Sequence, residues 1–293
     1  NFNHSIKESI HVASFHNFEQ MLFNLKVETL PISGLAETEL DARIDKTYLD
    51  AVKHRKRSYY GEKHFLSLSR VNRPHRTLSA FEIFNSKLYD HCIISHDKIE
   101  NPDHYCQTTE KIRGSKGKLS ARALRKFNRH LPLVADTNDF ITNHAMNLSS
   151  HLHWSTLFQV VGETLVEDWD NTSRFWSEKT FRSIFHMQPF LVWGQPNANK
   201  NLQDYGYKLY DKMFDYSFDG ESNTYKRWTM LKGEVESVVA RLNKMNKEEQ
   251  LLWCFQQQDI LKHNYKIMYR EEHTKAVFQK LAFKLVQQSK ESV

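Results

Sequence analysis

The sequence predicts an α/β protein with a parallel, Rossmann-like sheet, and three observations carry that expectation. Short apolar runs of strand length recur at 64–69, 92–95, 156–161 and 190–193. Helical periods separate the runs, and successive 3.6-residue periods close the chain. The expected organisation is a small mixed N-terminal unit over 1–60, an α/β core over 61–225 and C-terminal helices over 226–293.

The elements follow in order. The stretch 11–25 is rich in aromatic residues, and Leu40, Ile44, Tyr48 and Ala51 recur at helical spacing behind Thr38, an available cap. The basic cluster Lys53-His54-Arg55-Lys56-Arg57 reads as an exposed boundary. After it, His64–Ser69 alternates as a strand, Pro74 opens a helix with Leu78, Phe81, Phe84 and Leu88 on one face, and Cys92–Ser95 is the next strand. This β-α-β unit implies a right-handed crossover and parallel pairing. Asn138–Leu148 is weakly helical, Thr156–Val161 is a strand, Thr180–Met187 a helix, and Phe190–Trp193 a strand that ends at Gly194. Helical periods then run over Trp228–Leu242, Glu248–Leu261 and His273–Val286.

Composition narrows the function. The chain has 293 residues, 40% of them apolar and 13% aromatic, which supplies an ample core. No run approaches the ~20 apolar residues of a bilayer span, so the expectation is no membrane contact and a soluble protein of the cytoplasm. Three cysteines without metal spacing read as free thiols. His151 and His153 would share one face of a strand but lack a third ligand, so no metal site is expected. With 9 glycines and no Gly-x-Gly-x-x-Gly or Walker loop, dehydrogenase and P-loop readings are disfavoured. The net charge of +6 is uneven: eight cations and no acid lie between Lys111 and Arg129. That segment reads as a loop passing into a basic helix, either a solvated surface or a contact for nucleic acid, phosphate or an acidic protein.

In open α/β sheets ligands bind where strands end and helices begin. Ser69-Arg70-Val71-Asn72-Arg73-Pro74-His75-Arg76 is an arginine-rich turn entering a helix, suited to a phosphate. Gly162-Glu163-Thr164 and the Ser177-Glu178-Lys179 turn add carboxylates and a further cation. Together these residues meet the chemical demand of a nucleotide-sugar site, although arginines at helix starts are commonly solvated and Glu178 would equally complement a helix dipole. Asp215 and Asp219 read as loop acids or as a carboxylate pair for proton transfer.

The Ser-Arg-Val-Asn-Arg-Pro-His-Arg turn, with Phe-Gln-Val-Val-Gly-Glu-Thr, Trp-Ser-Glu-Lys-Thr-Phe and Gln-Pro-Phe-Leu-Val-Trp-Gly after it, resembles a family of uncharacterised proteins of large tailed phages. More distantly it is similar to the donor-binding half of α1,3-fucosyltransferases, enzymes of the glycosyltransferase-B fold. The resemblance covers about 61–225 and implies that Arg76 and Lys179 hold a diphosphate and Glu178 meets the ribose, with Glu163 at a matching acidic position. Arg73 and Ser177 join them as candidate donor contacts, and Glu163 or Asp219 is the candidate general base of an active enzyme. Ser177 stands where the enzymes carry Thr. About 60 N-terminal residues are too few for the acceptor domain of a complete transferase.

Two functions follow as expectations. One is a phage glycosyltransferase-like protein that binds a nucleotide-sugar donor, with Lys111–Arg129 reaching an acceptor that includes nucleic acid. The other is a non-catalytic anti-defence protein of the host cytoplasm. It would act as a homo-oligomer that binds a bacterial immune complex, for example Gabija, through protein–protein contacts.

Overall fold

In a computed structural model, residues 37–114, 119–135, 150–167 and 175–269 are described. The expected features at 11–25, 138–148 and 273–286 lie outside these ranges. Four strands, β1 (Phe65–Leu68), β2 (Cys92–Ser95), β3 (Phe158–Gly162) and β4 (Phe190–Trp193), form one all-parallel sheet in the order β2-β1-β3-β4. The α/β expectation is met. Register aligns Phe65 with Cys92 and Phe158, and Gln159 with Phe190.

Helix α1 (Glu37–Ser58) buries Leu40, Ile44, Tyr48 and Ala51 along one stripe. The same stripe continues to Arg55, which is 1% exposed, so the basic cluster 53–57 closes a packed helix with one member turned inward. Its four other members stay in solvent, and Lys53, Lys56 and Arg57 complement the helix dipole there. Helix α2 (Pro74–Phe84) starts on proline, whose missing N–H costs nothing at that position. It ends four residues before Leu88, which falls in a 3-10 turn (Lys87–His91) leading into β2.

Helices α3 (Pro102–Arg113) and α4 (Ala121–Asn128) follow β2, so much of the basic segment is helical. The short α5 (Ser150–Trp154) precedes β3, and α6 (Glu178–Phe185) and α7 (Ala198–Asp204) flank β4. His151 and His153 therefore sit on a helix, not a strand, and point apart, one exposed and one buried.

Three helices close the described chain: α8 (Thr224–Leu242), α9 (Lys247–Phe255) and α10 (Gln258–Tyr269). The single period expected over 248–261 is thus split in two. The Phe255 carbonyl, which a continuing helix would use, accepts instead from Tyr48 Oη of α1 (3.3 Å). Helix α1 packs on α5 and α10, and its apolar stripe belongs to the same buried cluster as the sheet and α8. Among the described residues, no helix is long and apolar enough to cross a membrane.

Candidate functional site

Strand order fixes where a ligand would sit. The chain leaves β1 for β2 on one side and returns to place β3 on the other, so the connections diverge between β1 and β3. A crevice outside the carboxyl ends of those two strands is where ligands of doubly wound sheets bind. The turn Ser69–Arg73 leaves β1 at that point, and Glu163 and Thr164 leave β3 beside it.

Glycine makes the close approach possible: a Cβ on Gly162 would meet Ser69 Oγ at 3.4 Å and Arg76 Cγ at 4.0 Å. From α2, Arg76 Nη2 donates to Thr164 Oγ1 (2.9 Å) across the switch point. His75 Nε2–H donates to the Glu163 carbonyl (2.8 Å), and its ring meets Trp193 edge-on at 5.5 Å. Burial first, then the Arg76, Arg73 and Lys179 cations, push the His75 imidazole down to about 3, against its bond to the carbonyl. His75 is therefore neutral at physiological pH, and of the three cations Arg76 is itself 3% exposed while Lys179 is half-buried. Arg73 itself is exposed and forms the N-cap position of α2, a helix with no acid in its first turn.

Glu163 lies at the centre of the site but is 0% exposed. Its Oε1 accepts from Thr180 Oγ1 (2.6 Å) and from the Ser177 N–H (3.0 Å), and its Oε2 accepts from the Thr164 N–H (3.2 Å). The carboxylate thus pins the loop after β3 to the start of α6. Ser177 caps α6: its Oγ accepts from the Lys179 N–H (3.3 Å) and from Lys179 Nζ (3.1 Å). Lys179 is partly buried, and Glu178 is the first residue of α6.

Asp219 is also internal. Its Oδ1 accepts from the Asn199 N–H (3.1 Å) and Nδ2 (2.7 Å), and Oδ2 accepts from the Lys200 N–H (2.8 Å). Burial raises its carboxyl above the usual range while these bonds oppose the rise. Asn199 in turn exchanges hydrogen bonds with both backbone groups of Val192 on the edge strand β4 (3.0 and 2.9 Å). Asp219 therefore holds α7 against β4, and Gly194, where a Cβ would lie 3.1 Å from that of Ala198, permits the approach. Asp215 is exposed and closes a turn on Ser217, so the two acids do not form a pair.

The structure thus brings Arg73, Arg76, Ser177, Lys179 and Glu163 to one edge and gives both acids hydrogen bonds to loops and helix starts. A general base needs an accessible lone pair, and neither carboxylate presents one to solvent. Sequence reading passed over His75 and His96. His75 lies three residues before buried Leu78 on α2, a spacing that placed it on the inner face. His96 is fully buried after β2, donates Nδ1–H to the Ser69 carbonyl (2.7 Å), and is pushed down to about 4 by burial. No local pattern marked it.

All three cysteines are buried free thiols, and burial raises those of Cys92 and Cys254. Among the described residues, no group of three or more His, Cys, Asp or Glu could hold a metal. Comparison with protein families, with curated proteins and with solved structures gives no match.

Proposed function

We propose that the chain binds a nucleotide-sugar diphosphate at the carboxyl edge of its sheet, in the manner of a glycosyltransferase donor half. The observation that carries the reading is that Arg73, Arg76 and Lys179 stand on one edge, Arg76 and Lys179 linked through Thr164, Glu163 and Ser177, where the strand connections diverge. The N-termini of α2 and α6 add partial positive charge to the same edge. Arginine supplies fork-shaped donors for phosphate oxygens and lysine a point charge, so the electrostatics match a diphosphate. Neutralising that group as it leaves is the chemistry such residues can supply. Glu163 and Asp219 act here as positioning residues, and Glu178 is the candidate partner of the ribose.

The test is calorimetric titration with nucleoside diphosphates and nucleotide sugars. Micromolar binding that falls at least tenfold in Lys179→Ala, with an unchanged melting temperature, supports the assignment. Absence of binding across the panel overturns it.

A second reading is favoured by the internal engagement of Glu163 and Asp219, which leaves neither as a proton acceptor. In it the chain is a non-catalytic anti-defence protein of the host cytoplasm that binds a bacterial immune complex, such as Gabija, as an oligomer. Helices α1 and α9 meet where Tyr48 reaches Phe255, and each leaves a leucine, Leu49 and Leu252, in solvent. A defined oligomer by light scattering, without nucleotide affinity, would select this reading.

A further inference from the structure

Helix α4 carries a feature that the switch-point site does not use. Leu124 and Phe127 bury its inner face at 0% and 1% exposure, while Arg122, Arg125, Lys126 and Arg129 are exposed. These four positions are spaced i, i+3, i+4 and i+7, which places them in one stripe along the outer face, about 10 Å long at the helical rise. Neighbouring like charges at three and four residues disfavour a helix, while Arg125, Lys126 and Arg129 at its C-terminal end complement the dipole. Only Arg125 is offset, by Asp103 of α3 at 3.2 Å, and both of those side chains are well exposed. Arg122, Lys126 and Arg129 have no ion-pair partner among the described residues.

Other helix faces are arranged differently. On α1, Asp41, Asp45 and Asp50 hold Lys266, Lys262 and Lys46 at 2.6–2.8 Å. On α7 and α8, Lys200 pairs with Asp204 and Lys232 with Glu236. A merely solvated helix face has that mixed pattern. The α4 stripe keeps one sign, and the sequence around it holds no acid from Lys111 to Arg129 while adding Lys116 and Lys118.

We propose that this stripe is a contact surface for the phosphate backbone of a nucleic acid, bound without regard to base sequence. An acidic protein is the weaker match. Protein interfaces are anchored by buried aromatic or aliphatic side chains, and none of the exposed large apolar side chains falls between residues 98 and 130. A row of cations on a rigid helix, with no apolar anchor, suits a partner whose charges are regularly spaced and whose affinity comes from released counterions. This surface is independent of the switch-point ligand.

The test is fluorescence anisotropy with a labelled oligothymidylate of about 20 nucleotides and a duplex of equal length, over about 50–200 mM salt. Four neutralised phosphates predict that the logarithm of the single-strand association constant falls against that of salt with a slope of about −3. In the triple variant Arg122→Glu, Lys126→Glu, Arg129→Glu the affinity should drop at least tenfold and the slope should shrink by about 2. Because the three side chains are exposed, an unchanged melting curve is expected and separates loss of binding from loss of fold. Lys179→Ala should bind the oligonucleotide as the unmodified chain does, whatever its effect on nucleotide-sugar affinity. The proposal is overturned if neither nucleic acid binds at the lowest salt, or if the triple variant binds equally well. It is also overturned if polyglutamate of matched charge competes as effectively as the oligonucleotide, which would transfer the surface to an acidic protein.

Discussion

Arginine and histidine meet, buried, at both ends of the parallel sheet, but the carboxyl end adds cations that reach solvent. At the carboxyl end Arg73 stands in solvent, and Arg76 and Lys179 flank a neutral His75 where loops diverge. At the amino end Arg55 is almost fully enclosed. Its Nη1 and Nη2 donate to the Met187 carbonyl (3.3 Å each), and Nη1 lies 3.6 Å from Cys254 Sγ. Beside it His153 and His186 stack with centroids 4.2 Å apart, and His153 Nδ1–H donates to Gln188 Oε1 (2.6 Å). Gln188 passes the chain of bonds to Thr156 Oγ1 (2.8 Å) at the approach to β3. One end keeps Arg73 exposed and Lys179 half-buried beside an enclosed Arg76; the other spends the same residue types on joining α1 to the strand entrances. The exposure of Arg73, not residue type, separates the binding edge from the structural joint.

The sharpest way to break this comparison is Glu163, which belongs to the carboxyl end yet acts as a joint. Glu163→Ala strands the Ser177 and Thr164 amides and the Thr180 hydroxyl, and should cost about 3 kcal/mol or more in urea unfolding. A loss below about 1 kcal/mol would show that the carboxylate is dispensable to the fold and available for chemistry.

Next come the two arginines, replaced alike. Arg55→Ala removes the donors to Met187 and leaves a cavity, so a loss of about 2–3 kcal/mol is expected. Arg73→Ala should change stability by less than about 0.5 kcal/mol and weaken nucleotide-sugar binding instead. Equal effects on folding would erase the distinction between the two ends.

The smallest effect concerns acid. Burial pushes His153 down to about 3 and His186 well below the ordinary range, where His153, Arg182 and Arg55 also lower it. An unfolded chain titrates its histidines near 6.5 and so binds more protons below that pH. Stability is then fully present above about 6.5 and declines as pH falls towards the folded values, by about 1.4 kcal/mol per pH unit for each histidine. His186 Nε2 is buried without a partner. His186→Phe keeps an aromatic ring on His153 and removes that atom, so stability at neutral pH should stay within about 1 kcal/mol. The acid slope should shrink by about one proton, read from denaturant midpoints between pH 7 and 4; an unchanged slope would place the sensitivity in His75 and His96.

Much of the framework was legible because it is local. Short apolar runs gave four strands, two of them, Cys92–Ser95 and Phe190–Trp193, with their bounds intact. Proline at the start of α2 and the stripe from Leu231 to Leu242 on α8 are patterns a short window contains. The arginine turn was visible for the same reason. The role of Glu163 was not, since an acid that accepts three hydrogen bonds inside the protein looks in sequence like one poised for catalysis. Arg55 hid among four exposed neighbours, and only its place four residues after Ala51 on the buried stripe distinguished it.

What the sequence determined by itself is the menu of elements and the residue types at their ends, because periodicity and capping act within one or two turns. Only the tertiary structure decided the strand order β2-β1-β3-β4, and with it the point where the connections diverge. It also decided that Asp219 reaches back 20 residues to cap α7, and that Tyr48 ends α9 from 207 residues away. The physical reason is that a carboxylate or guanidinium takes its function from the donors, acceptors and water it meets. Those neighbours come from chain segments that no local window holds together.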